Sequence, residues 1–155
     1  MDLGGDAKTR ANIGEYGCTV MHIMEEGNLP PFAYSIGVTQ QTGEPEVVVI
    51  GLKQPIAHFM VNEYNSQVRA GKRFKPGTRE SGFLEGFEIL VDEVPLAAYG
   101  DYFGQALDFY GGPTFKVLQL IYPSTQGVWP WDPQAPESFR LRQPVLMARG
   151  DTSAR

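Results

Sequence analysis

The sequence predicts an α+β fold: a single domain with a mostly antiparallel sheet of five to six strands, two helices and a Trp/Pro-rich C-terminal loop. Three observations lead there. The chain has 155 residues, about one ordinary domain, and 42% of them are hydrophobic against 20% charged. It carries 18 glycines and 12 prolines, enough for many turns and too many for a helical bundle. Between those turn residues lie short apolar runs, most with a period of two and only two with helical spacing.

Residues 1–12 are polar and glycine-rich, which predicts a disordered tail. Residues 149–155 have the same character, so the domain is expected to span 13–148. Residues 18–24 alternate as a first strand, with Val20, His22 and Met24 on one side. Residues 25–31 hold Glu-Gly-Asn and two prolines, a turn. Residues 32–38 form a second strand of uneven faces: Phe32, Tyr34, Ile36 and Val38 on one, Ala33, Ser35 and Gly37 on the other. The bare face leaves room for a helix, another backbone or a ligand.

After the turn Thr42-Gly43-Glu44-Pro45, residues 46–52 are rich in β-branched side chains, the mark of a central strand buried on both faces. Short loops between these three strands predict an antiparallel meander. Pro55 suits a helix start, Ile56, Phe59, Met60, Tyr64 and Val68 follow at helical spacing, and Gly71 is a stop. The opposite side carries His58, Asn62, Asn65 and Arg69. A loop then leads to a strand at 87–94, ended by Pro95, and to a second helix at 96–110, ended by Gly111-Gly112-Pro113. Residues 115–122 are a fifth strand, 123–136 a coil, and 144–148 a short last strand. Whether the sheet curls into a half-barrel is open.

Composition excludes several classes. A net charge of −5 and a pI near 5.0 lack the basic footprint of a nucleic-acid binder. The one basic stretch, Arg69 to Arg79, is interrupted by Gly71, Pro76 and Gly77; it reads as a solvated loop or as a docking patch for an acidic partner. The longest apolar run, 47–50, is far shorter than the roughly 20 residues of a membrane span. Cys18 is the only cysteine, and the N-terminus lacks an apolar signal region, so a cytoplasmic protein is expected.

Phosphate loops, zinc-protease helices and paired-cysteine motifs are absent from the sequence. His22 and His58 stand 36 residues apart, so no metal site is expected short of a tertiary coincidence. His58 is either a structural histidine or an acid/base or ligand contact. Gln119 interrupts an apolar strand and must either bond the backbone of the Trp-rich loop or orient a ligand in a cavity. Trp129-Pro130-Trp131-Asp132-Pro133 brings two large rings on a stiffened loop, either a lid on the core or a recognition surface. Asp132 suits a turn; Arg140 and Arg142, read as alternating on an extended piece, suit a pairing with Asp132 or Glu137 or an anion clamp. Tyr34 and Tyr110 complete the candidate set as pocket tyrosines.

The stretches EYGCTVMHIMEEGNLPPFAYSIGV, PEVVVIGL, FYGGPTFKVLQLIYPSTQGVWPWDP and RLRQPVL, in that order, resemble the DUF4262 family, a bacterial domain of unknown function. The resemblance covers about residues 12–147. Its pattern takes in Tyr16-Gly17, Phe32, Tyr34, Gly37, His58, Tyr110-Gly111-Gly112, Gln119, Pro130-Trp131-Asp132-Pro133 and Gln143-Pro144. It implies small stand-alone proteins without an assigned activity, and it leaves Cys18 without a family role.

Two function classes remain. One is a ligand- or partner-binding module, for instance an immunity or antitoxin protein whose acidic surface meets a basic partner. The other is a small enzyme or a flavin-like cofactor domain built around His58, Gln119 and Tyr34. A small molecule or a protein is the expected partner, nucleic acid and membrane are not, and a homodimer is left open.

Overall fold

The computed structural model describes residues 3–147. Six strands, β1 (Thr19–Ile23), β2 (Phe32–Ile36), β3 (Glu46–Ile50), β4 (Thr78–Leu84), β5 (Phe87–Glu93) and β6 (Val117–Ile121), form one sheet. Their order is β1-β2-β3-β6-β5-β4. Four pairings are antiparallel and one, β3 with β6, is parallel. The expected meander of the first three strands is present, and so is the buried central strand: every residue of β3 is buried. The sheet is open, with β1 and β4 at its edges, and does not close into a barrel.

The uneven faces of β2 decide how the layers pack. Ala33 joins a cluster with Val47, Val49, Leu118 and Leu120 beneath helix α3 (Gln54–Arg69). The bare face therefore receives a helix. Small residues on both sides, Ala33 and Ala57, permit the close approach. The stripe that α3 buries is Ala57, Met60, Val61, Tyr64 and Val68; Ile56 and Phe59, expected inside, are 40% and 53% exposed. On the opposite face Tyr34, Ile36, Val48 and Ile50 pack with Tyr99, Phe103, Ala106 and Phe115.

Several expectations need correction. Residues 3–12, read as part of a polar tail, belong to helix α1 (Leu3–Tyr16). It has no apolar stripe to announce it, and Ile13, 3% exposed, is its anchor in the core. The segment read as a loop before residue 87 contains β4, an edge strand whose mostly polar, exposed residues hide its period. The expected second helix is broken into a 3₁₀ turn (Leu96–Ala98), α4 (Tyr99–Tyr102) and α5 (Gly104–Tyr110). The break falls at Phe103, whose fully buried ring sits on a non-helical backbone.

The second strand stops at Ile36, and Val38–Thr42 is a short helix, α2. Arg140 and Arg142 sit on helix α6 (Glu137–Arg142), not on extended chain. Residues 144–147 form no strand, and 148 lies outside the described residues, as does the expected tail 149–155.

Candidate functional site

The carboxylate of Glu46 organises one end of the sheet. It starts β3, is fully buried, and accepts hydrogen bonds from Ser35 Oγ at 2.7 Å and from the backbone N–H groups of Gly37, Val38 and Thr39 at 3.0–3.2 Å. Tyr110 Oη donates a further, short bond to it. The next N–H of α2, that of Gln40, donates to the same tyrosine oxygen. The open N–H groups at the start of α2 are thus all satisfied without a classical side-chain cap. Burial pushes the Glu46 carboxyl above its usual value, against the pull of Tyr110, Ser35, Gly37 and Thr39. Ser35 Oγ accepts from Val47 N–H, so its proton points to Glu46, as does that of Tyr110. Five donors face the carboxyl and leave no acceptor for a proton; the arrangement is that of a carboxylate. Gly37 makes the approach feasible: its φ is +120°, and a Cβ there would meet Ile13 Cγ1 at 2.7 Å.

The sheet separates the sequence-selected residues. Tyr34, Val48 and Gln119 align across β2, β3 and β6 on one face, whereas His58 belongs to α3 on the other. Gln119 is 1% exposed, and its amide is used at both ends: Nε2 donates to Pro144 O at 2.8 Å, and Oε1 accepts from Leu146 N–H at 2.9 Å. The Tyr34 hydroxyl, pushed up to about 12 by burial, faces the N–H groups of Gln105 and Ala106 at the start of α5. Tyr110 is held by Glu46. The backbone layer of the sheet lies between His58 and the other two, Tyr34 and Gln119.

The Trp loop forms a third, separate cluster. Trp129 and Trp131 lie parallel, ring centres 5.4 Å apart, and pack against Leu90, Ile121 and Met147. The Arg79 guanidinium sits 4.9 Å above the Trp129 ring. Asp132 closes the turn by accepting from Trp129 N–H at 2.8 Å. Arg140 donates to the carbonyl oxygen of Asp132 at 2.9 Å, so among the described residues it pairs with the Asp132 main chain and not with the Asp132 carboxylate. Arg142 lines an apolar groove of about 740 Å³ with Leu52, Ile56, Phe59, Phe87 and Phe139. The basic stretch is divided among partners: Lys72 pairs with Glu80 at 2.9 Å, Arg73 with Glu44 at 3.3 Å, and Arg69 donates to Tyr16 O.

One concave region gathers chemistry. A cleft of about 860 Å³ lies between α1, β1 and α3. Its walls carry Asn12, Thr19, His58, Asn62, Asn65 and Ser66, with Lys8, Arg69 and Glu15 as charged groups. Two contacts fix α1 on its rim: Asn65 Nδ2 and Arg69 Nη1 both donate to Tyr16 O, at 3.0 and 2.5 Å, at the C-terminal end of that helix. Asn12 Nδ2 donates to Thr19 Oγ1 at 3.0 Å. Asn65 is 4% exposed, and its Oδ1 has no hydrogen-bond partner. Cys18 borders the cleft, but burial first and the nearby Glu46 second push its thiol up to about 12, which excludes a thiolate nucleophile at neutral pH.

His22 and His58 meet at the edge of this cleft. His22 Nε2 and His58 Nδ1 are 2.9 Å apart. The rings are tilted by only 15° and their centres are 5.1 Å apart. That spacing is the nitrogen–nitrogen distance plus one ring radius on each side, so the rings meet edge to edge in nearly one plane. Burial and the second ring both lower the His22 pKa. Nothing in the sequence signals that the two histidines meet: His58 falls on the polar side of its helix, whereas His22 shares a strand face with Val20 and Met24.

The family model of the Domain of unknown function (DUF4262) matches residues 12–136, and the chain belongs to this family. No curated protein and no solved structure matches it.

Proposed function

We propose that the domain binds a small polar ligand with an anionic group in the cleft between α1, β1 and α3. The observation that carries this reading is the cleft itself: a hollow of about 860 Å³, large enough for a small molecule, whose walls bring Asn12, Asn62, Asn65 and Ser66 together with Lys8 and Arg69. Lys8 and Arg69 outnumber Glu15 and favour a negative group there. Asn12, Asn62, Ser66 and Thr19 offer further polar contacts.

The test is a screen of amino acids, sugar phosphates and nucleoside monophosphates by thermal shift, followed by amide NMR titration of the hits. The reading expects saturable shifts at Asn12, Asn62 and Asn65. It expects weaker binding in Asn62→Ala and Lys8→Ala, two changes on the rim that leave the α1 contacts of Asn65 and Arg69 in place. Hits that map elsewhere, or binding unaffected by both changes, would overturn it.

A further inference from the structure

We propose that His22 Nε2 and His58 Nδ1 form a two-nitrogen chelate for a divalent cation of the late first-row transition series, with Cu2+ held most tightly. The inference goes beyond the ligand cleft and does not depend on it. It rests on the meeting of the chain's only two imidazoles, from a strand and a helix 36 residues apart, at one point of the surface.

Geometry favours the chelate. With metal–nitrogen bonds of about 2.0–2.1 Å and a tetrahedral angle, two imidazole nitrogens stand about 3.3 Å apart and their ring centres about 5.2 Å apart. The ring centres are already 5.1 Å apart. The two backbones therefore stand at a chelating distance, and tilting the rings about their side-chain torsions is enough to turn the facing nitrogens toward a shared ion. The backbones are well fixed: His22 is paired in register with Ala33 in the sheet, and His58 follows the buried Ala57 on α3. Tethering both ligands to packed elements makes the second contact intramolecular once the first has formed.

Chemistry narrows the ion. Neutral imidazole suits Cu, Zn and Ni, and the affinity order of such sites peaks at Cu2+. Burial and the facing ring favour the neutral form of His22, the form that ligates. Among the described residues no group of three or more His, Cys, Asp or Glu is placed to hold a metal. The ion would thus keep open positions for water or an added ligand, unlike a closed structural zinc site.

The experiment is a titration of the full-length, tag-free protein with Cu2+ and, separately, Zn2+. It is read by calorimetry and, for Cu2+, by electron paramagnetic resonance. The expected result is one Cu2+ per chain with two equatorial imidazole nitrogens, and weaker binding of Zn2+ at the same stoichiometry. His22→Gln and His58→Gln should each weaken Cu2+ by at least about tenfold, as loss of one arm of a chelate requires. Unfolding of a variant is detected by circular dichroism; the nitrogen count in the wild-type protein then decides alone. Absence of stoichiometric binding, a single imidazole in the spectrum, or full affinity in either folded variant would overturn the proposal.

Discussion

Gln119 and Gln143 clamp one junction from opposite sides. Gln119, in the middle of β6, grips the backbone of the C-terminal segment at Pro144 and Leu146. Gln143, in that segment, donates from Nε2 to Tyr122 O at 2.9 Å and accepts from Tyr122 N–H at 3.0 Å, just past the end of the strand. Each side chain takes the place of a missing strand neighbour, and both are 1% exposed. Gly51 lets the chain pass: a Cβ there would meet Arg142 O at 2.4 Å.

Gln119→Leu should therefore destabilise the fold. It strands the part-buried Leu146 N–H and Pro144 carbonyl, each costing up to about 1–3 kcal/mol. Chemical denaturation measures the loss. A double change with Gln143→Leu should cost less than the sum of the singles, since both hold the same segment. Strict additivity would show that the clamps are independent.

Glu46→Ala should cost more than any single substitution on the cleft rim. It leaves three backbone N–H groups, Ser35 and Tyr110 facing a void, with each buried orphan worth about 1–3 kcal/mol. Tyr110→Phe removes one donor and should cost about 1–3 kcal/mol. Hydrogen exchange should show the damage first in 37–42, the segment whose amides the carboxylate holds.

Trp131→Ala should lower the melting temperature by the equivalent of about 3–5 kcal/mol if the ring covers Leu90, Ile121 and Met147 as the packing indicates. An unchanged melting temperature would instead assign the loop to recognition. Arg79→Ala, which removes only the cation above Trp129, should cost about 0.5–1 kcal/mol.

Acid should loosen the contact between β1 and α3. The folded-state pKa of His22 lies below its ordinary value of 6.5. Below pH 6.5 the unfolded chain takes up a proton that the folded chain resists, so stability falls with pH until the folded pKa is passed. A melting profile between pH 7.5 and about 5 should slope downward, and His22→Gln should flatten it. An identical slope in the variant would show that the acid sensitivity lies elsewhere.

Much of the sheet is legible in the sequence because its strands obey simple rules. The β-branched run of β3 and the uneven faces of β2 dictate burial and layer order. What escapes is whatever depends on one residue rather than a pattern. Helix α1 is held by Ile13 and by side-chain grips on Tyr16 O, neither of which leaves a period. Edge strand β4 has polar residues on its exposed side. Glu46 reads as a stray charge at the start of an apolar run, yet it is the hub of five hydrogen bonds. The candidate site is less legible still. The cleft needs α1 in place, and the histidine pair exists only once β1 and α3 have packed.

The parallel pairing at the centre of the sheet also bears on how the chain reaches its native state. Glu46 and Val117 are neighbours in that ladder although nearly half of the chain separates them in sequence. During synthesis the first three strands emerge as a hairpin meander whose third strand, β3, has no partner on its outer edge until β6 leaves the ribosome. An apolar β-branched edge left open for that interval invites intermolecular association, so slow or heat-stressed translation should favour aggregates nucleated at this strand.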